Sequence, residues 1–253
     1  MNQKYLIIPD LHGRYEIFIK MLNQFVDIKD NKIINKNNYK IIILGDFIDK
    51  GELSEQIKLL NFLYDNKKEL IILIGNHEYK TKKKLELKHK FGLTEFYDFY
   101  KELEINQSIK NKFDKLYKHL IKYYEDEFII CTHAPCLYKH LDKKTEDVIQ
   151  YVFKKEINFN TKEEYKKYLN NYFKEILTQN NYKKLHIAGH IGIDKPIFNN
   201  KQIWLDTKKL NDINFLIIEN NNFKIINSEE KKNNFYKEDT NFILKKLVKK
   251  ISN

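Results

Sequence analysis

One arginine, one tryptophan, two cysteines, three prolines and seven glycines are all that this 253-residue chain contains of those residue types. Each scarcity excludes something. Two cysteines, Cys131 and Cys136, cannot build a disulfide framework, so reduced thiols in a cytoplasmic protein are expected. No apolar run approaches the roughly 20 residues needed to cross a bilayer, and no membrane span is expected. A strand-like run begins within four residues of Met1, which leaves no space for a signal peptide there. No repeat and no linker rich in Pro, Gly or Ser is visible. A single domain over 1–253 is expected, long enough to bury its own core.

Lysine supplies nearly all the basicity, and the formal net charge is +11. Such a charge attracts anions in general. Lysine, asparagine and isoleucine are abundant together, as AT-rich coding favours, so the charge alone names no nucleic-acid partner. A phosphorylated or nucleic-acid substrate is compatible with it. Oligomeric state is not legible.

The scarce residues are not scattered. Six glycines (Gly13, Gly45, Gly51, Gly75, Gly189 and Gly192), all three prolines and Arg14 lie in or beside five stretches of one kind. In each, an apolar run ends in a residue able to bind a metal. Leu6–Pro9 leads to Asp10 and His12, and Ile41–Gly45 leads to Asp46. Ile71–Gly75 leads to Asn76 and His77, Phe128–Thr132 to His133, and Leu185–Gly189 to His190. Glycine is needed where backbone turns tightly or approaches a ligand.

The periodicity predicts buried strands over 4–9, 40–45, 69–74, 127–132 and 184–189. Helices are expected over 14–26 and 54–66, the second capped by Ser54. Strand and helix alternate, so the first strands should pair in parallel with ligands at their C-terminal ends. Residues 27–38 read as loop. Helical insertions are expected at 79–126 and 137–183. The first carries a stripe of Phe113, Leu116, Tyr117, Leu120, Ile121 and Tyr124. The second has a Thr161–Glu164 capping box and a tyrosine-rich face, read as packed. Short strands at 202–206, 213–219 and 222–227 follow, the last two as a hairpin. A C-terminal helix at 236–251 should dock on the body.

Asp10 and His12 point the same way in extended backbone. Asp46 stands where a strand stops and could bridge two metals, and a turn could aim Asp49 back at it. Asp and Asn oxygens with His nitrogens suit Mn, Fe or Zn, and no thiolate-rich set suggests a structural zinc. Arg14, the sole guanidinium, can grip phosphate bidentately near the first helix. His89, His119, His140 and His186 read as packed or solvated, and Glu78 as a supporting hydrogen bond at most.

The stretches Asp10-Leu11-His12-Gly13, Gly45-Asp46-Phe47-Ile48-Asp49-Lys50-Gly51, Gly75-Asn76-His77-Glu78, Thr132-His133-Ala134 and Gly189-His190 occur in this order. Together they resemble the calcineurin-like metallophosphoesterases. The branch of bacterial and phage serine/threonine phosphatases and symmetrical diadenosine tetraphosphate hydrolases is nearest. Trp204-Leu205-Asp206-Thr207 is similar to a late element of that branch. The resemblance implies a four-layer α-β-β-α sandwich with two mixed sheets and helical insertions at the site rim.

It further implies two divalent ions, Mn foremost, with Fe, Zn or Ni as alternatives. Asp10, His12 and Asp46 would hold one; Asp46, Asn76, His133 and His190 would hold the other. His77 would be the general acid and Asp49 its orienting partner. Two cations sharing a carboxylate lie about 3.5–4 Å apart and bring a bridging water's pKa towards 7. Arg14, Lys50 and Asn76 would bind the substrate phosphate. Lys50 stands where the branch has arginine, and Lys208 where it has glycine.

The implied activity is hydrolysis of phosphate monoesters, phosphoprotein or nucleotide. A diadenosine tetraphosphate or related nucleotide hydrolase is the alternative. Gly189-His190-Ile191-Gly192 lacks the second histidine usual in phosphodiesterases, which weighs against that class. A non-catalytic metal-binding module would have no need to keep His77 and Asp46.

Overall fold

Runs such as Ile41–Leu44, apolar on both faces, are stable only when covered on both sides, and the architecture follows from that requirement. A computed structural model of the chain describes residues 3–87, 97–142, 164, 171–172, 175–176, 183–192, 196–199, 201–206, 213–220 and 222–228. In chain order the elements are β1 (Lys4–Ile8), α1 (Tyr15–Leu22), β2 (Asp27–Lys29), β3 (Lys32–Ile34), β4 (Tyr39–Ile43), α2 (Leu53–Asp65) and β5 (Leu70–Ile72). Then come α3 (Asn76–Leu87), α4 (Tyr97–Ile105), α5 (Gln107–Tyr117), β6 (Tyr123–Glu125), β7 (Ile129–Thr132) and β8 (Leu185–Ala188). Last are β9 (Ile197–Asn199), β10 (Gln202–Trp204), β11 (Asn214–Glu219) and β12 (Asn222–Asn227).

Two five-stranded mixed sheets result, ordered β12-β11-β1-β4-β5 and β6-β7-β8-β10-β9. In the first, β1, β4 and β5 are parallel and β11 and β12 antiparallel. In the second, β7, β8 and β10 are parallel, with β6 and β9 as antiparallel edges. Alternation along each strand divides the core. Leu6, Ile8, Ile41 and Ile43 face the helical layer with Phe18, Leu60 and Phe62. Tyr5, Ile7, Ile42 and Leu44 face the second sheet and meet Ile129, Cys131, Ile187 and Ile203. On that sheet's outer side Ile130, Cys136 and Leu141 cluster, Tyr172 and Ile176 are buried, and Gln202 Nε2 donates to the Ile176 carbonyl at 2.5 Å. The order helix, sheet, sheet, helix is the expected sandwich.

Several expectations need correction. Residues 27–34 form a hairpin, with Asp30 and Asn31 at φ 49° and 63°, as a two-residue type I′ turn demands. Helix α2 begins one residue before Ser54; its N-cap is Glu52, with no side-chain capping bond. The stripe read as helical through Tyr124 breaks after Tyr117, and Tyr123–Glu125 pairs with β7. Helices α4 and α5 pack against α2, and Phe99, Leu103, Ile109, Phe113 and Leu116 join the first core cluster. The hairpin over 213–227 forms as expected. The helix over 236–251, Thr161, Tyr165, Tyr168, His89, Thr207 and Lys208 lie outside the described residues.

Candidate metal centre

Parallel strands bring their C-terminal ends to one edge. Here β1, β4 and β5 of one sheet and β7 and β8 of the other deliver their tips to a common point. Backbone bonds lace the tips together. Leu11 and His12 amides donate to the Asp46 carbonyl at 3.0 and 2.8 Å, and Gly189 N donates to the His133 carbonyl at 2.8 Å. The approach is close enough that a Cβ on Gly75 would lie 2.1 Å from Asp46 Oδ1, and one on Gly189 2.5 Å from Asp10 Oδ1.

Asp10, His12, Asp46, Asp49, Asn76, His77 and His133 are all buried, and His190 is half-buried. His133 Nδ1 donates to the Leu44 carbonyl at 2.8 Å, which aims Nε2 at Asn76 Oδ1 (3.0 Å), His190 Nδ1 (3.1 Å) and Asp46 Oδ1 (3.4 Å). His12 Nδ1 faces the Ile48 carbonyl at 3.3 Å. Fixing one ring nitrogen on a carbonyl presents the other as a ligand. His77 Nδ1 lies 2.9 Å from Asp49 Oδ2, and its Nε2 lies 3.5 Å from Asp46 Oδ2. His190 N donates to Asp10 Oδ1, and His77 N to Asp46 Oδ1, each at 3.0 Å.

Burial drives the electrostatics. It raises Asp10 well above the usual carboxylate range, with Asp206 adding to the rise. It pushes His12 down to about 3. Burial also opposes a charge on His133, yet Asp46 and Asp10 beside it raise that ring to about 10. Two carboxylates thus favour a positive charge beside them at His133, and the oxygen and nitrogen donor set fits a divalent cation.

Two groups have ligand atoms close enough to share an ion: Asp10, Asp46, His133 and His190, and His12, Asp46 and His77. Asp46 belongs to both. The grouping departs from the implied sets in two respects. Asp10 falls with His133 and His190, and His77 stands beside His12, their rings 4.9 Å apart.

Arg14 folds back on its own loop, with Nε on the Leu11 carbonyl at 2.8 Å and Nη2 on the Asp10 carbonyl at 2.5 Å. Lys50 Nζ donates to His12 Nε2 at 3.1 Å. Both cations thus border the donor cluster. His119 is exposed, and His140 and His186 are buried away from this set, His186 Nε2 lying 2.7 Å from Thr132 Oγ1.

Sequence reasoning undervalued three residues. Glu78 is fully buried and accepts four backbone N–H groups: Phe47 and Ile48 on Oε1, Asp46 and Gly75 on Oε2, at 2.9–3.2 Å. Gln56, on α2, accepts from Asp49 N at 2.8 Å and donates to the Gly51 carbonyl at 2.7 Å. The reading of Glu78 as a supporting hydrogen bond falls short of these four, and nothing in the residue types announces Gln56. Asp206 is buried just past β10; burial raises its carboxyl to about 6 against the nearby Arg14 and Lys50. Its place after a sixth apolar run was the available signal.

A two-sheet sandwich whose strand tips converge on carboxylates and imidazoles defines a candidate divalent-metal centre. The profile described as "Metallophos: Calcineurin-like phosphoesterase" matches residues 3–226, and the chain belongs to that family. It is 34% identical over 79 residues to a zinc-dependent endopolyphosphatase of Saccharomyces cerevisiae, covering 31% of this chain and 22% of that protein. It is 30% identical over 159 residues to the asymmetrical bis(5'-nucleosyl)-tetraphosphatase PrpE of Oceanobacillus iheyensis, covering 57% and 62%. The chain thus spans under two thirds of either relative. Its fold is similar to that of a cold-active protein-tyrosine phosphatase of a psychrophilic Shewanella species, with TM-score 0.56, 15% identity, and 89% and 78% of the two chains covered.

Proposed function

We propose that the chain hydrolyses phosphate esters at a two-cation centre, with His77 protonating the leaving group. The observation that carries this is the buried His77–Asp49 contact at 2.9 Å, set beside Asp46, which both donor groups share. Asp10, which faces His12 through Oδ2 (3.7 Å) as well as His133 through Oδ1 (3.8 Å), would hold one cation with His12 and Asp46, and Asp46, Asn76, His133 and His190 would hold the other. When bound, such ions stabilise charge on the phosphoryl oxygens and bring the pKa of a water to about 7.

The chain's own residues do the rest. Asp49 accepts from His77 Nδ1 and so fixes the ring with Nε2 towards the reacting group. As water adds to phosphorus in line, the ester P–O bond breaks, and the proton on Nε2 passes to the departing oxygen. Arg14, Lys50 and Asn76 orient the phosphate; Arg14 is pre-set by its two loop carbonyls, so little freedom is lost on binding.

The test uses p-nitrophenyl phosphate and phenyl phosphate with Mn²⁺ added, against chelator. His77→Asn should cut turnover of the poorer leaving group by about 10²–10⁴-fold while two ions per chain remain bound by calorimetry. Loss of one ion would make His77 a ligand. Full activity on phenyl phosphate would remove it from the mechanism.

A monoester is the first substrate reading. A phosphoanhydride of a nucleotide is the second, favoured by the likeness to a bis(5'-nucleosyl)-tetraphosphatase.

A further inference from the structure

Helix α3 starts in the site with Asn76 and His77 and continues with Lys80, Lys82, Lys83 and Lys84. At 3.6 residues per turn, Lys80 projects between the directions of Asn76 and His77, and Lys84 stands about one turn above Lys80 on the same strip. Burial agrees. Glu78 and Thr81 are buried and Leu85 packs on the core, whereas Lys83 is exposed and Lys80 and Lys84 are half-buried. The acids of α3 sit elsewhere. Glu78 faces the core, and Glu86 lies on the flank with Lys82, whose Nζ is 3.3 Å from it and 2.9 Å from Asp114 of α5. From Asn76 to Lys84 the axis advances about 12 Å.

We propose that Lys80, Lys83 and Lys84 form a track for the distal phosphates of a linear oligophosphate whose reacting phosphate lies at the metal centre. The proposal rests on the phosphoester-hydrolase reading and names its substrate class. A lone phosphate is already served by Arg14, Lys50 and Asn76. A further row of ammonium groups leading away from the centre suits a ligand carrying further charges in line. Lysine, a point charge on a flexible stem, accepts phosphates at varied positions along a chain.

The aromatic rings discriminate against single-stranded nucleic acid. Lys83 Nζ lies 4.4 Å from the Tyr79 ring centroid and Lys84 Nζ 3.8 Å from that of Tyr100. Faces covered by ammonium groups are not offered to bases, whose stacking such binding requires. In the reaction, water oxygen bonds to phosphorus, the P–O–P bridge breaks, and the proton from His77 passes to the bridging oxygen. Two shorter phosphates result, with water as the only co-reactant.

The experiment compares the parent with Lys80→Ala/Lys84→Ala and with Lys80→Gln/Lys84→Gln, which retains an apolar stem over Tyr100. Substrates are p-nitrophenyl phosphate, inorganic tripolyphosphate and diadenosine tetraphosphate, all with Mn²⁺. The ratio of kcat/KM for a chain substrate to that for p-nitrophenyl phosphate should fall about tenfold or more in both variants. A fall for both chain substrates supports a track for the shared phosphate chain. A fall for tripolyphosphate alone supports an uncapped chain, and for diadenosine tetraphosphate alone a nucleoside-capped one. Ratios unchanged for both overturn the track. Calorimetry of tripolyphosphate binding to His77→Asn, with and without the lysine pair, decides the track even if the parent fails on every substrate. That failure would overturn the phosphoesterase reading separately, and equal affinities would overturn the track.

Discussion

Five site residues, His12, Asp46, Asp49, Lys50 and His190, hold backbone φ between 45° and 68°, a region L-residues avoid. Each such position costs on the order of 1 kcal/mol or more, and persists only where surrounding contacts over-determine it. Glu78 is the largest of those contacts. Burial raises its carboxyl to about 7, yet each of its two oxygens accepts from two backbone donors, whereas glutamine would turn an NH₂ towards two of them. Glu78→Gln should therefore lower stability by about 3 kcal/mol or more, read from urea unfolding of the metal-free protein. At this scale the sequence was informative where chemistry is carried by rare residue types. The aspartates and histidines at strand ends were legible because each follows an apolar run. Glu78 and Gln56 were not, because their partners are backbone amides brought near only by the turn itself.

Elements were legible where both faces, or one face, had a single meaning. The strands β1, β4, β7 and β8 are mostly apolar and buried, and β11 and β12 are apolar runs on either side of an asparagine-rich turn. The hairpin of β2 and β3 was missed because its residues are mostly polar and exposed, leaving only the Asp30–Asn31 turn as a signal. Strand β6 was missed because Tyr124 fell by coincidence at helical spacing from Leu120 and Tyr117. Helices α4 and α5 are integral to the core rather than appended. Phe113 is fully buried among Leu60-side residues of the same cluster and stacks edge-on with Phe99 at 6.1 Å. Phe113→Ala should cost about 3–5 kcal/mol in a single cooperative transition. A separate early transition confined to these helices, seen by hydrogen exchange, would show them to be a detachable layer.

Across the whole molecule, one carboxylate ties the two sheets together at the edge away from the metal centre. Asp126, between β6 and β7, accepts from Tyr124 OH (2.6 Å), from Tyr5 OH of β1 (2.8 Å) and from the amides of Phe128 and Ile129. Lys40 Nζ of β4 lies 3.3 Å away. Burial works against its charge, but these donors outweigh it and bring the carboxyl from 3.8 down to about 2. A depressed pKa stabilises the fold above the ordinary value, and that contribution disappears as pH falls through the lowered one. Asp126→Asn should thus cost about 1 kcal/mol near neutrality, a discounted figure for a partly exposed group. Its deficit relative to the parent should close between pH 3.8 and about 2, followed by urea midpoints along a pH series. A deficit constant over that range would place the effect in packing instead.

The turn held by Glu78 bears on how a cation would enter the candidate centre. The donors that shape the loops after β4 and β5 are satisfied inside the chain, by a carboxylate that belongs to neither donor group. Loading therefore need not draw on folding energy, as it must in small domains that are unfolded without metal. A cation could then enter or leave the folded chain with no passage through an unfolded intermediate.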